Sequence, residues 1–152
     1  VPLIVAVGAW RWWRHKTVRP LVLLGLAYGG AEVLFQTVKA LTGRARPPAT
    51  VALHHYSGFA FPSGHATLSV AVWCALAALV AAATPSWRNK VIAWAAAFFL
   101  AAVVGVSRLY LGAHWLTDVL GGWSLGALWL TAVLGAVRPT NVRASHAAQE
   151  VT

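Results

Sequence analysis

Acidic residues are almost absent from this chain. Glu32, Asp118 and Glu150 are the whole supply, against 12 lysines and arginines in 152 residues. Charged residues of both signs make up only 10%, where an average soluble domain carries about 25%. That shortage, set beside a hydrophobic content of 59%, excludes an ordinary water-soluble domain. Cysteine is nearly missing too. The lone Cys74 lies in an apolar run, so no intrachain disulfide and no cysteine-based metal spacing can form. Methionine is absent altogether. The chain opens inside an apolar stretch, Val1 to Trp10, with no basic segment before it and no cleavage pattern after it. Such a stretch is neither a signal peptide nor long enough to span a bilayer. It reads as the end of a truncated helix, with the natural N-terminus expected upstream.

The formal charge of +9 invites a nucleic-acid reading, but no basic helix face or aromatic-interleaved basic stripe is present. The basic residues instead punctuate long apolar runs. Four of these runs approach the roughly 20 residues needed to cross about 30 Å of hydrocarbon: Leu21–Leu41, Ser63–Ala83, Val91–Tyr110 and His114–Val137. Pro20, Gly43, Pro47-Pro48, Pro62, Pro85 and Gly112 mark the connections. The expected fold is all-α, an integral-membrane helical bundle with at least four full transmembrane helices and a truncated N-terminal one. The membrane domain is expected over 1–139, and the polar tail 140–152 reads as disordered and cytoplasmic.

Polar residues inside such a chain are expensive: a charge at the centre of a membrane helix costs about 2.5–3.5 kcal/mol on insertion scales. Three clusters are retained nonetheless: Lys39 with Arg46-Pro47, then Pro62-Ser63-Gly64-His65, then Ser107-Arg108 with His114 and Asp118. Alternating the four helices across a membrane brings all three to one face. The opposite face holds eight basic residues (Arg11, Arg14, Lys16, Arg19, Arg88, Lys90, Arg138, Arg143) and the cluster face four (Lys39, Arg44, Arg46, Arg108). The positive-inside rule then puts the clusters outside the cytoplasm. Trp10, Trp12, Trp13 and Trp87 at the basic ends, with Trp115 at the other, fit interfacial belts.

The chemistry those residues suit is that of an anion, most simply a phosphate. Lys39 offers a point charge, and Arg46 and Arg108 offer planar forks that match phosphate oxygens. Anchoring at the headgroup layer explains Lys39 or Arg46 singly, but not all three cations on one face. Ser63-Gly64 opens a helix, where free backbone N–H groups and the helix dipole favour negative charge. His114 and Asp118 stand four apart at another helix start. A carboxylate there can orient one imidazole nitrogen and leave the other as a nucleophile. His65 is placed to protonate a leaving oxygen. A zinc site from His65, His114 and Asp118 is conceivable, but no helix pattern or cysteine ligand supports it.

The order and spacing are distinctive: Lys39, six residues, Arg46-Pro47; Pro62-Ser63-Gly64-His65; Ser107-Arg108, five residues, His114, three residues, Asp118. This resembles the complete tripartite signature of the type 2 phosphatidic acid phosphatase superfamily, the lipid phosphate phosphatases. The resemblance runs from residue 39 to 118, with its helical framework to about 137. It implies a metal-independent, cofactor-free phosphatase working through a phosphohistidine. His114 would be the nucleophile, Asp118 its orienting partner and His65 the acid. Lys39, Arg46, Ser63, Gly64 and Arg108 would hold the phosphate. Members in membranes usually have six helices, against four and a fragment here. The implied partners are membrane lipids and a lipid phosphate or pyrophosphate of the undecaprenyl pyrophosphate, phosphatidylglycerol phosphate or phosphatidic acid class. No nucleic acid is implied, and oligomeric state is left open.

Two alternatives stand beside this. A vanadate-dependent haloperoxidase shares similar motifs but is soluble, and a non-catalytic lipid-binding or transport relative would be expected to lose a catalytic residue. Glu32, Gln36 and Lys39 form a stripe on one helix face, open to two readings: interhelical hydrogen bonding, or tuning of the site. His54, His55 and Tyr56 are expected at the interface.

Overall fold

The computed structural model describes residues 18–48, 50, 52–53 and 56–137. The expectations for Val1–Trp10, for Trp10, Trp12, Trp13, His54 and His55, and for the tail 140–152 lie outside these residues. The described chain is four helices: α1 (Arg19–Thr42), α2 (Gly64–Ala83), α3 (Trp87–Tyr110) and α4 (Leu116–Ala136). Each is long and apolar enough to cross a membrane. The shortest, at 20 residues, spans about 30 Å at 1.5 Å per residue.

Local sequence explains the ends. Pro20 sits in the first turn of α1, where its missing N–H costs nothing. Gly43 closes α1 in the left-handed region (φ 57°), its N–H bonded to Lys39 O at 3.1 Å. Ser63 and Ser86 cap α2 and α3 through Ala66 N and Asn89 N. The Ser86 cap starts α3 at Trp87, four residues before the expected Val91, so Arg88 and Lys90 belong to its first turn and not to the connection. At the other end of the sequence, α4 begins at Leu116, which leaves His114 just outside the helix.

Among the four, α2 is central. Half of its span is buried, against 17% for α3, and it packs on α1, α3 and α4. The core is built of small and medium residues: Leu23, Leu24 and Ala27 of α1, Val70, Cys74 and Ala75 of α2, Ala97 and Ala101 of α3, Leu130 and Val133 of α4. Lipid tails are as apolar as leucine, so such helices associate by close packing and not by hydrophobic expulsion. Gly122 and Gly126 show this most clearly. A methyl group on Gly122 would sit 2.6 Å from Ser63 O, and one on Gly126 would sit 2.5 Å from Thr67 O. The two glycines press α4 onto the first turns of α2. Large exposed side chains such as Phe98, Phe99 and Val103 on α3 and Leu128 on α4 form a surface that suits hydrocarbon and not water.

Candidate active site

The close approach at Gly122 has a direct result one turn earlier. Asp118 O accepts the Ser63 N–H at 2.8 Å, so the starts of α2 and α4 are joined backbone to backbone. Lys39 arrives on the last turn of α1, and Arg108 on the last turn of α3. The four helix ends that carry the sequence clusters therefore share one end of the bundle. A cavity of about 320 Å³ opens there, lined by Lys39, Arg46, Gly64, His65 and His114, with Glu32, Phe35, Gln36 and Leu68 extending it along α1 and α2.

The loop between α1 and α2 aims the cations. Lys39 Nζ donates to Phe59 O at 2.7 Å, and Arg46 Nε donates to Ser57 O and Gly58 O, each at 3.1 Å. Arg46 Nη1 donates to Ala113 O at 2.8 Å and stands 3.4 Å from His114 Nε2. The guanidinium carbon lies 5.6 Å from the Tyr56 ring centre, within cation–π range. Tyr56 thus belongs to the Arg46 setting, and burial pulls the Arg46 pKa below its ordinary value. A second cavity of about 340 Å³, lined by Gln36, Lys39, Arg46 and residues 57–59, shares the two cations from the outer side.

Asp118 is fully buried and makes more contacts than its spacing from His114 suggested. Its Oδ2 accepts the Trp115 N–H at 2.8 Å, reaching back over the helix start from the third position. The same oxygen lies 3.5 Å from His114 Nδ1. That distance is an electrostatic contact, beyond a hydrogen bond, and among the described residues Nδ1 has no hydrogen-bond partner. Its other oxygen, Oδ1, accepts from Arg44 Nη1 at 2.9 Å. Arg44 carried no role in the sequence reading. Its signal was there: a fourth cation two residues before Arg46, on the face where Asp118 was expected.

His114 is 6% exposed, and its pKa is lowered to about 4, by burial first and then by the charges of Arg46 and Lys39; Asp118 pulls the other way. Buried and neutral, it is a ring with a lone pair to spare.

The remaining expected residues are placed less uniformly. Gly64 lines the cavity and leaves no room for a side chain, since a methyl there would sit 2.7 Å from the Phe35 ring. Ser63 is fully buried beneath it, with its hydroxyl 3.5 Å from Ala66 N as the helix cap and its own N–H given to Asp118 O. Arg108 turns its Nε and Nη2 onto the Ser107 hydroxyl at 3.2 and 3.1 Å. Glu32 accepts from Gln36 at 3.2 Å within α1, and both face the cavity.

The helices that bring this cationic cavity and the buried histidine–aspartate contact together lie, but for Arg19, within residues 20–141, which match the PAP2 superfamily model. The chain belongs to the PAP2 superfamily. It is 38% identical over 126 residues to phosphatidylglycerophosphatase B of Bacillus subtilis, covering 82% of this chain and 61% of that protein. It is 30% identical over 109 residues to an undecaprenyl-diphosphatase of Sulfolobus acidocaldarius, covering 68% of this chain and 48% of the other. The chain thus spans about half to three-fifths of the length of these two relatives. The crystal structure of a transmembrane PAP2-type phosphatidylglycerolphosphate phosphatase from Bacillus subtilis superposes with a TM-score of 0.82 at 38% identity, over 89% of this chain and 67% of that one. The all-helical PAP2 architecture with four membrane-length helices is therefore shared with a solved transmembrane protein.

Proposed function

We propose that this PAP2 chain is a membrane lipid phosphatase that works through a phosphohistidine on His114. The single observation that supports this best is the arrangement around His114: Nδ1 faces the buried Asp118 carboxylate, and Nε2 faces Arg46 at the wall of the cavity. In the reaction, Nε2 attacks phosphorus and the P–N bond forms as the bond to the lipid oxygen breaks. His65, exposed in the same cavity, gives its proton to the departing oxygen. Water then attacks the phosphohistidine, His65 takes its proton, and inorganic phosphate leaves. Lys39, Arg46 and Arg108 stabilise the charge on phosphorus, together with Gly64 in the helix start that Ser63 caps.

The substrate is a lipid phosphate monoester or diphosphate. The similarity to phosphatidylglycerophosphatase B puts phosphatidylglycerol phosphate first, ahead of undecaprenyl pyrophosphate and phosphatidic acid. The cell membrane is the proposed location, with the site on the extracytoplasmic face, on the strength of the eight-to-four split of basic residues.

The test is phosphate release from each of the three lipids by the purified protein, with quenching in alkaline detergent and peptide mapping of any labelled enzyme at alkaline pH. Acid-labile phosphate on the peptide holding His114 is expected. Turnover without it, or label on His65, overturns the mechanism, and no release from any of the three overturns the function.

A further inference from the structure

Of the four cations on the site's side, Lys39 and Arg46 line the cavity, Arg108 bonds the Ser107 hydroxyl, and Arg44 is turned onto the buried carboxylate. Its Nη1 reaches Asp118 Oδ1 at 2.9 Å and the Thr117 hydroxyl at 2.6 Å. The guanidinium is well exposed, with 40% of its side chain accessible, whereas the carboxylate is entirely covered. The segment that carries Arg44 is fixed at two further points: Ala60 N donates to Arg44 O at 2.8 Å, and Trp115 Nε1 donates to Ala45 O at 3.2 Å. The loop after α1 is therefore strapped across the start of α4.

We propose that Arg44 is a positioning residue for the reaction, one that holds the Asp118 carboxylate in place and draws it off His114 in the resting site. The proposal deepens the phosphohistidine reading above and rests on it for its kinetic consequences. A carboxylate buried with no counter-charge would take up a proton or swing onto the nearest cationic partner. The nearest is His114 itself, at 3.5 Å, which would then be held as an imidazolium with no lone pair for attack. Arg44 removes that option by occupying Oδ1, while the Trp115 N–H occupies Oδ2. The carboxylate stays within a short movement of Nδ1. It can close that gap once the ring becomes positive in forming the P–N bond. The low pKa of His114 fits a site arranged in this way.

The other charged and titratable groups around the pair are Lys39 and Glu32 from α1, Arg46 with Tyr56 against it from the same loop, His65 from α2, and Arg108 from the end of α3, whose charge reaches His65. Lys39 and Arg46 both act on His114 directly. Arg44 is the cation that hydrogen-bonds the carboxylate.

The experiment compares wild type, Arg44→Gln, Arg44→Lys, Asp118→Asn and the double variant Arg44→Gln/Asp118→Asn in the full-length purified protein. Three readouts are taken: kcat and KM on a lipid phosphate, the pH profile, and the NMR titration of ring-labelled His114. Arg44→Gln is expected to lower kcat by about 10- to 100-fold, the range seen when partners that orient a catalytic imidazole are lost elsewhere, with KM little changed. It is also expected to move the acid limb and the His114 titration to higher pH, because a positive charge has gone and the freed carboxylate now pairs with the ring. Arg44→Lys should recover part of kcat. In the Asp118→Asn background the second substitution should cost little more.

An unmoved His114 titration in both Arg44 variants overturns the proposal, as does the same fold-loss with and without Asp118. A drop in melting temperature with kcat and the acid limb intact also overturns it, since the strap would then be structural only. Should Arg44→Gln not fold, Arg44→Met, which also removes the charge but keeps an apolar stem, carries the same tests. An inactive wild type sinks the lipid phosphatase reading, yet the His114 titration still decides the role of Arg44.

Discussion

Arg46 Nη1 and His114 Nε2 face each other at 3.4 Å, and the chemistry of one fixes the state of the other. A guanidinium can only donate, so Nε2 must present its lone pair and the ring proton must sit on Nδ1, toward Asp118. The pairing thus favours the tautomer that the proposed attack by Nε2 would need, before any substrate binds.

The consequence is measurable. An ordinary histidine, with a pKa of 6.5, is mostly protonated at pH 5.5; His114, lowered to about 4, keeps its lone pair there. A lowered pKa means that the proton is bound only at lower pH, so the neutral, nucleophilic form is kept above about 4 and lost below it. Ring-labelled protein, with His114 assigned by comparison with His114→Gln, should show a neutral Nδ1–H tautomer at pH 5.5. A midpoint at or above 6.5 would contradict the account of burial and neighbouring cations.

His65 should reveal itself through the leaving group. It is exposed in the cavity and positioned by the first turn of α2, across from His114. Replacing it by alanine should slow release of a lipid alcohol by about 100-fold or more, in the range of general acid catalysis. With p-nitrophenyl phosphate, whose leaving group needs little protonation, the loss should be at least tenfold smaller. Equal losses on both substrates would remove His65 from the role of acid.

Much of this could be read from the sequence, and the reasons differ by feature. Four apolar runs sufficed for the helices, since a membrane permits no other fold for them. Alternation alone took Lys39, Arg46, Gly64, His65 and His114 to one end, where they share a cavity. Two features were not legible. Gly122 and Gly126 look like ordinary small residues until the α2 backbone is seen against them. Arg44 looks like one more interfacial cation until the loop turns it onto Asp118. Both depend on contacts between segments far apart in sequence, which no local pattern encodes. The start of α3 was read four residues late, at Val91, because the apolar run begins there, whereas the Ser86 cap starts the helix at Trp87.

The glycine contact carries its own prediction. Gly122→Ala drives a methyl to 2.6 Å from Ser63 O and 2.9 Å from Ala66 Cβ, against backbone that cannot move aside cheaply. Overpacking of this kind costs about 1–3 kcal/mol, and here it also parts Asp118 O from Ser63 N. Thermal unfolding in detergent should fall for Gly122→Ala but not for Gly135→Ala, whose methyl would meet nothing within 4 Å. Equal melting temperatures would show that α4 does not pack on α2 as closely as described.

Activity should withstand EDTA and yield to vanadate. Of the two carboxylates at the site, Asp118 is already engaged by Arg44 and by the Trp115 N–H, and Glu32 accepts from Gln36, so the pair is poorly placed to bind a divalent ion. Lys39 and Arg46 also repel cations from the cavity. Vanadate adopts the five-coordinate geometry of the phosphorus in flight and suits that same cationic setting. Micromolar vanadate is expected to inhibit competitively. Loss of activity in EDTA, restored by a divalent metal, would overturn this reading of the site.

Topology can be tested without any substrate. Thr50 lies on the loop that follows the Arg46 segment and is exposed, and Asn89 is exposed in the first turn of α3, on the opposite side of four membrane-length helices. Cys74 is buried in the core, so Cys74→Ala provides a background with no other thiol. A single cysteine is then placed at one position or the other, and intact cells are treated with an impermeant thiol reagent. Arg88 and Lys90 flank Asn89, and the positive-inside rule holds such a segment in the cytoplasm. Thr50→Cys should therefore label on intact cells and Asn89→Cys only after lysis. The converse pattern would place the phosphate site on the cytoplasmic side and reverse the orientation drawn from the basic residues.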